Sequence, residues 1–125
     1  MSVARFAVLG TGRMARAIVA ESGRRADCEA AFLVGHSDPD WPAAVPRLAA
    51  LADLPETPRF LVDFSLPEGT LGAAGWCADH GVPLVSGVTG LSPAEEKALD
   101  AAARRVPLLW SPNLSLGVNL LAELV

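Results

Sequence analysis

The sequence is poor in the residue types on which metal centres and amine-based covalent catalysis depend. Only two of its 125 residues are cysteines, two are histidines, and Lys97 is the single lysine. Cys28 and Cys77 lack metal-ligand spacing, which indicates reduced, buried thiols and neither a zinc site nor a disulfide framework. One lysine leaves little scope for Schiff-base chemistry. We therefore expect no metal site and no lysine-based mechanism.

Long apolar runs and an excess of positive charge are also missing. No run approaches the roughly 18 apolar residues that a membrane-spanning helix requires. The N-terminal apolar run is broken by Gly10 and Gly12, unlike a signal peptide. A net charge of −4 argues against a general nucleic-acid binder, although backbone donors can still bind a small anion locally. We expect a cytoplasmic protein with a small-molecule substrate and no nucleic-acid or membrane partner.

What the sequence does contain is apolar runs that alternate with helical patterns. Hydrophobic residues make up 51% of the chain, and the mean hydropathy is +0.35, which indicates a well-buried domain. Strands are predicted at residues 3–9, 28–34, 60–64, 82–86 and 106–110, and helices at 13–22, 67–80 and 93–105. Residues 37–59 hold five prolines and one short helical candidate, 43–54. Strands that are nearly continuous apolar runs predict an α/β fold with a doubly wound, mostly parallel, Rossmann-like sheet in one domain.

Helix boundaries are predicted from capping residues. Ser65 with Glu68, and Ser92 with Glu95, have the serine-to-glutamate spacing of a capping box. Gly81 follows the second predicted helix and is expected to end it in a left-handed conformation. The pattern predicts helices that begin just after each serine.

A glycine turn follows the first predicted strand directly. Residues 10–15 read G-T-G-R-M-A and match the pattern G-x-G-x-x-A. Gly10 permits a tight turn, Gly12 lets the backbone approach a pyrophosphate, and the small Ala15 lets the helix pack against the strand. A position between a strand and a helix favours dinucleotide binding. The alternative is a turn with no ligand.

The end of the second strand is where dinucleotide-binding domains contact the ribose. An acidic residue normally lies there in NAD binders, but residues 34–37 contain none, and Asp38 lies a few residues late. Gly35, His36 and Ser37 are instead suited to surround a 2′-phosphate. The segment favours NADPH or dual cofactor use, and a plain turn without ribose contact stays equally open.

Small polar residues follow the third, fourth and fifth strands as well. They are found in residues 63–65, 86–90 and 111–113. Each group has a structural alternative, because Asp63 and Ser65 can cap a helix and glycines can serve turns. Since ligands bind outside the carboxyl ends of parallel strands, the loops together favour one shared site. No convincing general acid is present, so we assign no catalytic residue to this chain.

Taken together, these motifs resemble the N-terminal domain of the dihydrodipicolinate reductase family of lysine and diaminopimelate biosynthesis. G-R-M at 12–14 is similar to the family's glycine turn, and D-F-S-x-P-E at 63–68 to its D-F-[ST]-x-P-E segment. G-V-T-G-L at 87–91 resembles its G-T-T-G-L segment. S-P-N-L-S-L-G-V-N at 111–119 looks like its most specific signature.

The resemblance implies an NADPH- or NADH-dependent oxidoreductase acting on a CH–CH or C=N type bond. Its expected reaction is the reduction of 4-hydroxy-tetrahydrodipicolinate to tetrahydrodipicolinate, with the hydride supplied by the cofactor. Thr89 is also expected to touch the substrate. The residues expected to bind the cofactor are Gly10, Thr11, Gly12, Arg13, Met14, Gly35, His36, Ser37, Phe64, Ser65, Gly87, Val88, Thr89, Ser111, Pro112, Asn113 and Leu114.

The sequence departs from the family in detail and in length. Val88 stands where the family has threonine, and Leu114 where it has phenylalanine. The family's second domain, with its substrate sheet, oligomer interface and histidine–lysine motif, is not in the chain. We expect residues 1–117 to form the dinucleotide-binding domain and 118–125 to begin the connection to that domain. The chain alone is expected to be inactive, and the family's homo-oligomer to form through the second domain.

Two alternatives remain open from the sequence. A non-catalytic NAD(P)-binding module or subunit would explain why acid–base machinery is missing. Another two-domain dehydrogenase would share the glycine turn but would not predict the segment 111–119.

Overall fold

A computed structural model describes residues 3–112 as a six-stranded sheet flanked by helices. The strands are β1 (Ala4–Leu9), β2 (Cys28–Val34), β3 (Arg47–Leu48), β4 (Leu61–Asp63), β5 (Leu84–Ser86) and β6 (Leu108–Trp110). The helices are α1 (Arg13–Gly23), α2 (Pro67–His80) and α3 (Pro93–Ala103), with a 3₁₀ turn at Leu51–Asp53. All the predicted strands and long helices are present, with ends that differ by up to two residues.

The strand order confirms the predicted doubly wound architecture. The sheet runs β3-β2-β1-β4-β5-β6, and every pair is parallel. This is the Rossmann order, in which the chain winds one way from β1 and then returns to wind the other way. The reversal lies between β1 and β4, which are hydrogen-bonded neighbours. A crevice therefore opens beyond the carboxyl ends of these two strands.

The core has two layers because the strands alternate between the two faces of the sheet. Phe6 and Val8 of β1 pack with Ile18 of α1, and Phe6 stacks on Phe60 with ring centroids 4.7 Å apart. Ala7 and Leu9 face the opposite layer, which α2 and α3 cover. The strands are thus largely buried on both faces, as their nearly continuous apolar runs predict. In residues 3–112 no helix is long and apolar enough to cross a membrane.

The short helical candidate at 43–54, which Pro46 interrupts, does not form an α-helix. The segment instead forms the short strand β3 and the 3₁₀ turn. Pro46 lacks the N–H that a helix needs and disfavours helical backbone before it. Its carbonyl oxygen instead accepts a hydrogen bond from Leu33 N of β2, at 2.9 Å. Pairing with β2 therefore decides the conformation of this segment.

One predicted capping box is present and the other is not. Ser92 and Glu95 form the box at α3, and Gly81 ends α2 with φ +68°, both as predicted. At α2, however, the N-cap is Leu66 and the helix begins at Pro67. The hydroxyl of Ser65 donates to Asp63 instead, at 2.6 Å. Ser65 therefore hydrogen-bonds the Asp63 carboxylate and does not cap α2 as the sequence pattern predicts.

Candidate functional site

The loops that follow β1, β2, β4, β5 and β6 meet at one edge of the sheet. Backbone hydrogen bonds of 2.8–3.0 Å join each loop to the adjacent strand. The donor–acceptor pairs are Gly10 N to Val34 O, Gly35 N to Leu48 O, Phe64 N to Leu9 O, Gly87 N to Asp63 O, and Ser111 N to Ser86 O. The structure thus brings together the loops from which the shared site was predicted.

The two glycines of the turn after β1 have different physical roles. Gly10 has φ +121°, and a Cβ there would lie 2.8 Å from the carbonyl oxygen of Phe64. Both facts restrict the position to glycine, and both follow from packing within the protein. Gly12 is exposed, and a Cβ there would meet nothing within 4 Å. Gly12 therefore leaves open space beside the backbone, as a phosphate-binding turn requires.

The start of α1 is suited to bind an anion. Its N-cap is Gly12, which provides no capping side chain, and its first turn contains no acidic residue. The first N–H groups of a helix lack partners within the helix, and the helix dipole favours negative charge there. By contrast, Ser92 and Glu95 cap α3. Arg13 is exposed at the first position of α1, and Met14 packs against the core beneath it.

Trp41 anchors the glycine turn from the adjacent loop. Its indole Nε1–H donates to the carbonyl oxygen of Thr11 at 2.9 Å, and the residue is 8% exposed. A buried indole needs such a partner, and here the partner holds the turn in place. No local sequence pattern indicates this contact, because the two residues lie 30 positions apart.

Asp63 is the centre of a buried hydrogen-bond network. It is 0% exposed at the end of β4. Its Oδ1 accepts hydrogen bonds from the backbone N–H and hydroxyl of Ser65, at 3.0 and 2.6 Å. Its Oδ2 accepts from Thr70 of α2 at 2.6 Å and from Ser86 of β5 at 3.0 Å. Four donors offset the cost of burying the carboxylate, and the network ties three elements to one point.

The loop after β5 is held by contacts on both sides. The ring of Phe64 lies directly against Gly87, where a Cβ would overlap it. Val88 is 5% exposed, and its carbonyl accepts from Trp110 Nε1 at 2.9 Å. Thr89 and Gly90 are exposed at the tip. Val88 therefore anchors the loop, while Thr89 is the residue that a ligand can reach.

The loop after β2 combines the predicted residues with one that the sequence analysis missed. Gly35 lies against the glycine turn, since a Cβ there would be 3.1 Å from Thr11 Cγ2. His36 and Ser37 are exposed beside it. Arg47 reaches this loop from β3 and donates to the carbonyl oxygen of Gly35 at 2.7 Å. Nothing local to Arg47 in the sequence indicates this position.

The remaining predicted site residues lie at the end of the described chain. Ser111 is buried beside β5, and Pro112 is exposed. Asn113 and Leu114 lie outside the described residues. Within residues 3–112, no group of three or more histidine, cysteine or acidic side chains is arranged to hold a metal ion.

The strand order and the open glycine turn define a Rossmann-type domain with a candidate nucleotide-phosphate site. A family model described as "Dihydrodipicolinate reductase, N-terminus" matches residues 4–114. The chain therefore belongs to the dihydrodipicolinate reductase family. The family is one of NADPH- or NADH-dependent reductases, in agreement with the predicted cofactor.

Curated relatives support the assignment. The chain is 51% identical over 83 residues to 4-hydroxy-tetrahydrodipicolinate reductase of Stenotrophomonas maltophilia, a match that covers 65% of this chain and 34% of the relative. It is 37% identical over 119 residues to the Xylella fastidiosa reductase, covering 92% of this chain and 50% of the relative. The chain thus spans half or less of the length of these relatives.

Solved structures share the fold. A dipicolinate-bound dihydrodipicolinate reductase from Paenisporosarcina sp. TG-14 is similar with a TM-score of 0.76 and 21% identity, covering 90% of this chain and 48% of that one. An Agrobacterium radiobacter oxidoreductase in complex with NAD+ is similar with a TM-score of 0.65 and 12% identity, covering 87% and 35%. At these identities the likeness shows the architecture alone.

Proposed function

We propose that this chain is the cofactor-binding half of a 4-hydroxy-tetrahydrodipicolinate reductase, which produces tetrahydrodipicolinate for lysine and diaminopimelate biosynthesis. The observation that carries the proposal is the open glycine turn at the reversal point of the sheet. Gly12 leaves space for a pyrophosphate, and the start of α1 presents backbone N–H groups to it. The proposed reaction is inferred from membership of the family, and the proposed cofactor site is inferred from this geometry.

Each loop has a part in binding and orienting the cofactor. When bound, the reduced nicotinamide supplies a hydride. The backbone N–H groups at the start of α1 would hold the pyrophosphate, while Gly10 shapes the turn and donates its own N–H to Val34 O. Thr89, exposed at the loop tip, borders the nicotinamide and the substrate, and Phe64 with Gly87 fixes the position of that loop.

The rest of the cofactor site extends to the end of the chain. Ser111 and Pro112 flank the nicotinamide side of the edge, and we propose the same role for Asn113 and Leu114. We propose that residues 1–117 form the nucleotide domain and that 118–125 lead toward a substrate domain. That domain would supply the groups that bind substrate and transfer protons, and the surface through which the enzyme assembles in the cytoplasm.

The phosphate assignment predicts that Gly12→Asp abolishes cofactor binding. The carboxylate would occupy the open space beside the turn and repel the pyrophosphate. Gly23→Asp is a matched control, because it places the same side chain at the other end of α1, also with nothing within 4 Å. Calorimetric titration with NADPH and NADH should show binding for the parent chain and the control only. Unchanged affinity in Gly12→Asp would refute the assignment.

The enzymatic assignment can be tested in a chimera. Residues 4–114 would replace the matching segment of the S. maltophilia reductase, with which 83 residues align at 51% identity. We expect the chimera to reduce 4-hydroxy-tetrahydrodipicolinate, the Gly12→Asp chimera to be inactive, and the chain alone to show negligible turnover. A folded chimera that binds cofactor without reducing substrate would favour a non-catalytic binding module instead.

A further inference from the structure

Arg47 lies beside the part of the site that discriminates between cofactors. β3 pairs with the end of β2, with Arg47 opposite Leu33 and Leu48 opposite Val34. Gly35 N donates to the carbonyl oxygen of Leu48 at 2.9 Å. These bonds fix the backbone of Arg47 at the edge of the sheet, next to the loop that follows β2.

The guanidinium of Arg47 is anchored on one side only. Its Nη1 donates to the carbonyl oxygen of Gly35 and its Nε to Asp38 Oδ1, both at 2.7 Å. A guanidinium has five N–H donors, and in residues 3–112 no further hydrogen bond engages the rest. The Arg47 side chain is 27% exposed, and the Asp38 side chain 83%. The backbone carbonyl of Gly35 thus holds the Arg47 guanidinium in place, whereas its partner, the Asp38 carboxylate, is mostly exposed to solvent.

The anchor of Arg47 is also next to the phosphate-binding turn. Gly35, whose carbonyl accepts from Arg47, lies against Thr11 of that turn. In Rossmann domains the ribose of adenosine lies between the glycine turn and the end of the second strand. An acidic residue there binds the ribose hydroxyls of NADH, whereas a nearby arginine accommodates the 2′-phosphate of NADPH. Asp38 and Arg47 present both groups at this place.

We propose that Arg47 binds the 2′-phosphate of NADPH in exchange for Asp38, and that this pair makes the chain prefer NADPH while still accepting NADH. The inference rests on the proposed function and specifies which of the two cofactors, NADPH or NADH, the site prefers. A phosphate carries more negative charge than a carboxylate and matches the planar guanidinium with two oxygens. An exposed ion pair adds little stability, so breaking it opposes the exchange only weakly. With NADH, Asp38 instead accepts from a ribose hydroxyl while Arg47 balances its charge.

Calorimetric titrations of the folded chain with NADPH and NADH test this proposal. We expect the parent to bind NADPH more tightly. Arg47→Gln should weaken NADPH binding by about 10- to 100-fold, the usual effect of losing charge-assisted hydrogen bonds. Its NADH affinity should change by less than about threefold. Asp38→Asn should act in the opposite direction, strengthening NADPH binding and weakening that of NADH.

Arg5→Gln is the matched control. Arg5 also forms exposed ion pairs, with Glu29 and Glu56, but at the start of β1, on the opposite edge of the sheet from the loops. It should leave both affinities unchanged. Equal losses for the two cofactors in Arg47→Gln would mean that Arg47 only supports the loop, and would overturn the inference. If the folded parent binds neither cofactor, the proposed function itself fails.

Discussion

Gly10 and Gly12 look alike in the sequence, and the structure separates their roles. Gly10 is required by its own backbone angle and by the carbonyl of Phe64, which lies in the loop directly after β4. Gly12 has φ −91°, which any residue can adopt, and free space around it. Gly10 is therefore needed for folding, and we propose that Gly12 is needed for the ligand.

This difference predicts opposite effects of the same substitution. Gly10→Ala should lower the free energy of unfolding by about 3 kcal/mol, because it adds backbone strain and a clash with a carbonyl. Gly12→Ala should cost less than about 1 kcal/mol but weaken NADPH binding. Urea denaturation and calorimetry of both variants measure the two effects. Equal destabilisation by the two substitutions would contradict this division.

At the scale of elements, hydrogen bonds between distant segments fix the geometry of the loops. Asp63 joins β4 to α2 and β5, and Trp41 joins a loop to the glycine turn. The same contacts explain why one capping prediction failed. Ser65 has the spacing of a capping serine, but Asp63 Oδ1 is within 2.6 Å of its hydroxyl. A buried carboxylate needs donors more than a helix end that water can reach.

Asp63→Ala should therefore lower the free energy of unfolding by about 2–4 kcal/mol. The change removes the acceptor of the buried Ser86 hydroxyl and leaves Thr70 only its 3.4 Å hydrogen bond to Leu66 O. Asp100→Ala, an exposed position on α3, is the control and should change stability by no more than about 0.5 kcal/mol. Denaturant titration compares the two. A loss in Asp63→Ala no larger than the control's would show that the network contributes nothing.

Elements with strong local signals were predictable, and those that depend on pairing were not. β1 and β2 are apolar runs each interrupted by a single charged residue, and α3 carries its own cap and an N-terminal proline. β3 is two residues long and exists because β2 offers it hydrogen bonds. No pattern within residues 43–54 contains that information, and the helical spacing there was misleading for the same reason.

At the scale of the whole molecule, both thiols belong to the folded core. Cys28 and Cys77 are buried and unpaired, as the sequence predicted. Burial raises the pKa of Cys77 to about 12 from its ordinary value of 9.0, and the charge of Asp63 adds to the effect. Only unfolding of the surrounding layer brings this thiol into water, so its ionisation is linked to the stability of the fold.

This linkage predicts a pH dependence at the alkaline side. Between pH 9 and 12 the unfolded thiol ionises while the folded one stays protonated, so the unfolded state binds fewer protons. Stability from Cys77 is complete below pH 9 and falls as pH rises, by up to about 1.4 kcal/mol per pH unit. Urea denaturation from pH 8 to 10.5 should show a shallower slope in Cys77→Ala than in the parent. Parallel slopes would contradict the raised pKa.

The sequence by itself determined the class of fold, the family and the loops that make up the candidate site. Apolar runs long enough to be buried on both faces dictate a parallel sheet. In a parallel sheet every loop after a strand emerges at one edge, so motifs far apart in the chain predict a common site. The glycine turn and the resemblance of residues 111–119 required no coordinates, since they depend on residue order alone.

Only the tertiary structure decided which residues hold that site in shape. Trp41 donates a hydrogen bond to the carbonyl of Thr11, and Arg47 donates one to the carbonyl of Gly35. The hydroxyl of Ser86 donates to Asp63, and each of these bonds joins separate segments of the chain. Such pairs depend on strand order and register, which bring together residues that the sequence separates by 12 to 30 positions. The periodicity of apolar residues predicts whether a residue is buried, but it does not predict its hydrogen-bond partner. These partners are therefore seen only in the tertiary structure.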